Sequence, residues 1–188
     1  LDLFILDASG YLRYMENQGS ASVQDFHLIT PSFQDIFCGR WFHFADFDND
    51  GDMDLASMNN DDYTQISYFR NMGGVLSFIE VLSSTNAGYV ICQSTAVPTF
   101  ADIDGDGDLD FFYANMGGGI NFYENTGISN NLPQFIDMGN SWQGISIVGV
   151  YCSTDSRADE RHGSSAITFH DMNGSGALDL IWGDMFQE

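Results

Sequence analysis

Along this chain, short apolar runs rich in aromatic residues alternate with breaks rich in glycine, aspartate and asparagine. FADI (Phe100–Ile103), DFFYANM (Asp110–Met116) and INFYEN (Ile120–Asn125) are of strand length, and glycine clusters such as Met116-Gly117-Gly118-Gly119 divide them. Such runs, bounded by turn residues, read as strands. No stretch combines a helical apolar stripe with capping residues. In the clearest region the pattern predicts four strands, at about Pro98–Asp102, Leu109–Asn115, Ile120–Asn125 and Pro133–Asp137.

The pattern repeats. Asp-Leu or Asp-Phe anchors recur at Asp2, Asp54, Asp110 and Asp179, spaced by 52, 56 and 69 residues. A second landmark follows three of them: YMENQG from Tyr14, YFRNMG from Tyr68 and FYENTG from Phe122. Its Asn-x-Gly suits a tight turn at a strand end. Four short antiparallel strands, here called A to D, in a repeat of roughly 40 to 60 residues are the mark of a β-propeller blade. The predicted fold is therefore all-β, a single propeller segment of about three four-stranded blades cut mid-blade at both ends. Its units cover about residues 1–40 (partial), 41–95, 96–165 and 166–188 (partial).

Two of the breaks carry unusual charge. FADFDNDGDMDL (Phe44–Leu55) and FADIDGDGDLDF (Phe100–Phe111) each set five aspartates at alternate positions, with glycine in the sixth place counted from the first aspartate. Like charges this close repel unless a hard cation sits among them. Calcium takes six to eight oxygen ligands, drawn in such loops from alternate side chains and one carbonyl, and glycine allows the sharp turn. The spacing proposes Asp46, Asp48, Asp50, the carbonyl of Asp52, and Asp54 for the first loop. For the second it proposes Asp102, Asp104, Asp106, the carbonyl of Asp108, and Asp110. The plainer alternative, an acidic surface turn, does not account for a doubled, in-phase pattern.

Net charge is −22, with five arginines and no lysine; bound calcium would offset much of it. No basic footprint for nucleic acid exists, no polybasic patch for anionic lipid, and no apolar run of membrane-spanning length. Cys38, Cys92 and Cys152 each precede an acidic loop, about one per repeat. They read as small buried core residues, with an intermolecular disulfide as the sharper alternative. The sequence shows no nucleophile-elbow, phosphate-loop or zinc-spacing pattern.

These residues resemble the FG-GAP or VCBS repeats of integrin α-subunit propellers and of many secreted bacterial and eukaryotic proteins. The resemblance rests on FADFDNDGDMDL, FADIDGDGDLDF and the weaker HDMNGSGALDL from His170. It implies calcium in each A–B hairpin. In the weaker copy the ligands become Asp171, Asn173, Ser175, the carbonyl of Ala177, and Asp179, with fewer formal charges and weaker binding. The sequon Asn173-Gly174-Ser175 falls in this loop, where a glycan would compete with metal. EF-hands fit worse, because the twelfth place is Ser57 or Tyr113 rather than glutamate.

Leu1 aligns with Leu178, so the chain starts and stops in phase with itself. Three blades do not close a ring, and the expectation is a longer chain, with head-to-tail completion by neighbouring copies as the other route. The last repeat is longest around Tyr151–Ala166. That insertion, on the face opposite the acidic loops, offers Asp155, Arg157, Asp159, Glu160, Arg161 and His162 as a recognition loop. The expected protein is an extracellular, calcium-stabilised propeller module for adhesion, ligand recognition or structural assembly. Its partner would be a protein or glycan, or further copies of itself, and no active site is expected among these residues. The alternative is the scaffold part of a secreted carbohydrate- or lipid-active enzyme.

Overall fold

A computed structural model describes residues 1–115, 117–145 and 165–184. Among them there is no α-helix, only fifteen strands and two single 3-10 turns, at Phe33–Asp35 and Trp142–Gly144. The fold class is all-β, with the sheet pattern of a β-propeller segment.

The first sheet holds β1 (Leu3–Leu6), β2 (Leu12–Asn17) and β3 (Phe26–Thr30), in that order. The second is a four-stranded meander of β4 (Phe42–Ala45), β5 (Asp54–Met58), β6 (Ile66–Asn71) and β7 (Leu76–Val81). A hairpin of β8 (Ser83–Ser84) and β9 (Gly88–Tyr89) comes next in the sequence. The third meander follows with β10 (Thr99–Ala101), β11 (Asp110–Ala114), β12 (Ile120–Ser129) and β13 (Leu132–Asp137). The hairpin joins this sheet through a parallel pairing of Ser84 with Phe135, which makes it six-stranded. The last pair is β14 (Ser165–His170) and β15 (Asp179–Asp184). Within the meanders every strand pairs antiparallel to the next.

The four strands expected near residues 98–137 are β10 to β13. β12 runs further than expected, to Ser129, through a bulge between Asn125 and Ile128. The apolar runs are explained by burial. Every residue of β5 (DLASM) and of β11 (DFFYA) is buried, so these second strands are covered on both faces and lack period-two alternation. The outer strand β7 exposes Phe78 and Ile79.

The contacts divide the molecule into two units, Leu1–Asp46 with Gly51–Val81, and Phe47–Asp50 with Leu82–Glu188. In the first, Leu12, Ile36, Cys38 and Leu55 form the core, packed by Phe4, Phe42, Phe44 and Phe69. In the second, Ala101, Phe112, Ala114, Ile120 and Ile167 form the core. There the Phe112 ring lies 4.7 Å from those of both Phe122 and Phe169, so β11, β12 and β14 meet in one aromatic cluster. Cys38 and Cys92 are buried free thiols, as expected of core residues. Burial pushes the Cys38 thiol up to about 12 and raises that of Cys92 as well. Cys152 lies outside the described residues. No helix among the described residues is long and apolar enough to cross a membrane, a statement that does not bear on β-barrels.

Candidate metal centre

Each acidic stretch joins the first two strands of its sheet. Residues 46–53 connect β4 to β5, residues 102–109 connect β10 to β11, and residues 171–178 connect β14 to β15. All three loops fold by the same rule. The first-place aspartate reaches forward to the amide of the sixth-place glycine. Gly51 N–H donates to Asp46 Oδ2 at 2.9 Å, Gly107 N–H to Asp102 Oδ2 at 3.1 Å, and Gly176 N–H to Asp171 Oδ2 at 2.7 Å. These glycines have φ of +95°, +95° and +86°, a region that L side chains avoid.

The fourth place needs positive φ too, and Asn49, Gly105 and Gly174 supply it, with φ of +58°, +80° and +72°. Asparagine tolerates the left-handed region better than most residues, so this requirement is met by different letters and is easily overlooked in the sequence.

The ninth-place aspartate is a strut. Asp54 is buried. Its Oδ1 accepts from Asn71 N–H at 2.7 Å and its Oδ2 from the Tyr68 hydroxyl at 2.8 Å. Asp110 accepts from Asn125 N–H at 2.7 Å and from Ile103 N–H at 3.2 Å. Asp2 accepts from Asn17 N–H at 3.1 Å and from the Tyr14 hydroxyl at 3.0 Å. The two sequence landmarks, the anchor aspartate and Asn-x-Gly, are thus one interaction made three times. It ties the start of β5 to the end of β6, the start of β11 to the bulge in β12, and the start of β1 to the end of β2. The Asn side chains make the turn, with Gly19, Gly74 and Gly127 N–H donating to Asn17, Asn71 and Asn125 Oδ1.

Five residues past each anchor stands another Asp or Asn, a spacing visible in the sequence but not used there. Asp7, Asn59 and Asn115 each accept backbone N–H groups in the turns after β1, β5 and β11, from Ser9, Asp61 and Gly117 respectively.

Beyond these hydrogen bonds, the first two loops bring carboxylates together. One carboxylate oxygen each of Asp46, Asp48 and Asp50 lie within 4.8 Å of one another, and the same holds for Asp102, Asp104 and Asp106. Oxygens bound to a single calcium at 2.3–2.6 Å stand at such separations, so both trios fit this ion. Asp52 and Asp108, expected to ligate through their carbonyls, and the ninth-place Asp54 and Asp110 are not in the trios. In the third loop Asp171, Asn173 and Ser175 take the equivalent places. Ser175 N–H donates to Asp171 Oδ1 at 3.0 Å and to Asn173 Oδ1 at 2.9 Å, and Ala177 N–H donates to the Ser175 hydroxyl.

In the second loop burial and like charge act in the same direction on two carboxyls. Burial, then the charge of Asp106, raises the Asp108 carboxyl, against a hydrogen bond from Asn49 at 2.9 Å. Burial pushes Asp110 up to about 6, against its two backbone hydrogen bonds, with Asp104 and Asp106 adding to the rise. Asp171 in the third loop goes the other way, held low first of all by Gly176 N–H. The candidate recognition residues Asp155, Arg157, Asp159, Glu160, Arg161 and His162 lie outside the described residues.

A family model for the FG-GAP-like repeat matches residues 46–113, from the first aspartate of one acidic loop to the strand after the next. No curated protein matches the sequence.

Proposed function

We propose that this protein, which carries an FG-GAP-like repeat at residues 46–113, is a calcium-stabilised propeller module working outside the cell in adhesion, ligand recognition or structural assembly. The observation that carries the proposal is the pair of carboxylate trios, Asp46, Asp48, Asp50 and Asp102, Asp104, Asp106. Calcium there would supply positive charge against the clustered acids. The protein's own residues do the rest. The first-place aspartates and sixth-place glycines close the loops, and the struts Asp54 and Asp110 hold each loop to the third strand of its sheet.

Calcium bound only to the folded state stabilises it in proportion to RT ln(1 + [L]/Kd). Loops of the extracellular kind bind at about 10⁻⁴ to 10⁻³ M, and such loops fill only where calcium is millimolar. That range is the one expected if the protein works outside the cell. FG-GAP-like repeats are typically non-catalytic, which favours a binding or structural role over turnover. The partner is then a protein or glycan ligand, or further copies of the protein itself. Calcium titration by calorimetry tests the metal, with two sites expected and no heat contradicting it. A glycan and protein array run with and without chelator tests the partner, with calcium-dependent capture expected.

A further inference from the structure

The third loop contains the sequence's single Asn-Gly pair, Asn173-Gly174. Asn173 stands where the other loops have Asp48 and Asp104, and all three loops share the same closing hydrogen bond. We propose that Asn173 is a self-modifying position, whose terminal amide converts without an enzyme to a carboxylate and so gives the third loop the third-place acid of the other two. The consequence for calcium rests on the function proposed above; the conversion itself does not.

The chemistry is a ring closure followed by hydrolysis. The backbone nitrogen of Gly174 attacks Cγ of Asn173. A bond forms between Cγ and that nitrogen, the bond from Cγ to Nδ2 breaks, and ammonia departs carrying the proton from the glycine nitrogen. Water then opens the cyclic imide. Addition at Cγ breaks the new bond and leaves an aspartyl residue in an unaltered backbone. Addition at the backbone carbonyl of residue 173 leaves an isoaspartyl linkage. One water is consumed and one ammonia released, with no change in oxidation state.

Three features of the loop favour this. Asn173 is exposed, so ammonia leaves directly into solvent and water has access. Gly174 has φ of +72° and no Cβ, with open space where one would sit, so no side chain of residue 174 crowds the attacking nitrogen, whose N–H faces the Asp171 carboxylate. Ser175 N–H donates to Asn173 Oδ1 at 2.9 Å and draws electron density from Cγ, the atom attacked. The same contact prepares a seat for the product. In the second loop Asp106 N–H donates to Asp104 Oδ1 at 3.2 Å, which shows that this backbone accepts a carboxylate in the third place. Asn49 and Asn60, both exposed, are each followed by aspartate, whose carboxymethyl group crowds the nitrogen and whose charge opposes the imide.

The test is ageing of the full-length protein at mildly alkaline pH, with peptide mapping that separates amide, aspartyl and isoaspartyl forms. Conversion at Asn173 ahead of every other asparagine, with an aspartyl fraction, is expected. Asn173 persisting as the amide while others convert overturns the proposal, as does a purely isoaspartyl product. The Asn173→Gln variant should show no change at this site. Calcium binding is then compared between fresh protein, aged protein and Asn173→Asp. The third loop should bind about tenfold more tightly in Asn173→Asp, since affinity follows ligand charge, and aged protein should move toward it. If Asn173→Asp gains nothing while Asp104→Ala loses a site, the gain at the third loop is overturned and the calcium reading stands. If neither fresh protein nor any variant binds calcium, the calcium reading fails, and the mapping still decides whether the conversion occurs.

Discussion

The loops at residues 102–110 and 171–179 share a backbone and differ in charge. Both close by a glycine amide donating to the first aspartate. Both anchor the ninth aspartate to the second-place amide, Ile103 to Asp110 at 3.2 Å and Met172 to Asp179 at 3.0 Å. Both use glycine with positive φ in the fourth and sixth places. The third loop does all this with Asn173 and Ser175 where the second has Asp104 and Asp106. The extra acids are therefore not required by the hairpin, and in the second loop they add to the rise that burial gives the neighbouring carboxyls. We read this surplus charge as a place for a ligand, and a divalent cation would suit the clustered oxygens.

The comparison breaks most heavily at the strut. Asp54→Ala leaves the Tyr68 hydroxyl and Asn71 N–H without this acceptor in a buried setting. A loss of about 3 kcal/mol is expected, in chelator as well as in calcium, measured by urea unfolding. Asp104→Ala is expected to behave differently. It should lower stability by about 1–2 kcal/mol in millimolar calcium, by forfeiting ligand linkage, yet leave the chelated protein unchanged or slightly more stable because a like charge is gone. Equal losses in both conditions would place Asp104 with the struts and undo the distinction. Gly107→Ala should cost about 1 kcal/mol in either condition, since nothing but its φ of +95° opposes a Cβ.

The propeller pattern was legible because burial on both faces of β5 and β11 leaves uninterrupted apolar runs, and because the acidic loops recur in phase. The struts were legible as letters but not as an interaction. Asp54 and Asn71 lie seventeen residues apart, and only the folded hairpin shows that one accepts from the other. The β8–β9 hairpin was not legible. Its strands are two residues each, without apolar alternation, and they are held by a long-range parallel pairing and by Asn86, whose Nδ2 donates to the Asp137 carbonyl at 3.0 Å and whose Oδ1 accepts from Asp137 N–H at 2.8 Å. The fourth-place requirement hid behind the change from asparagine to glycine.

Smaller effects sharpen the same contrast. Ser175→Asp should tighten calcium binding at the third loop and lower stability by about 0.5 kcal/mol in chelator, from added like charge, as read by paired thermal melts. Cys38 and Cys92 should resist alkylation in the native state, since burial keeps both thiols protonated. Peptide mapping after a short iodoacetamide pulse checks this, and rapid labelling of either would contradict the packing described.

The most direct test of the central claim is the melting temperature of the unmodified protein in millimolar calcium and in chelator. A tenfold excess of calcium over Kd contributes about 1.4 kcal/mol per filled loop, so removing it should lower Tm by several degrees. Identical melts in the two conditions would contradict the account, and the acidic loops would then be surface turns that carry their charge without a ligand.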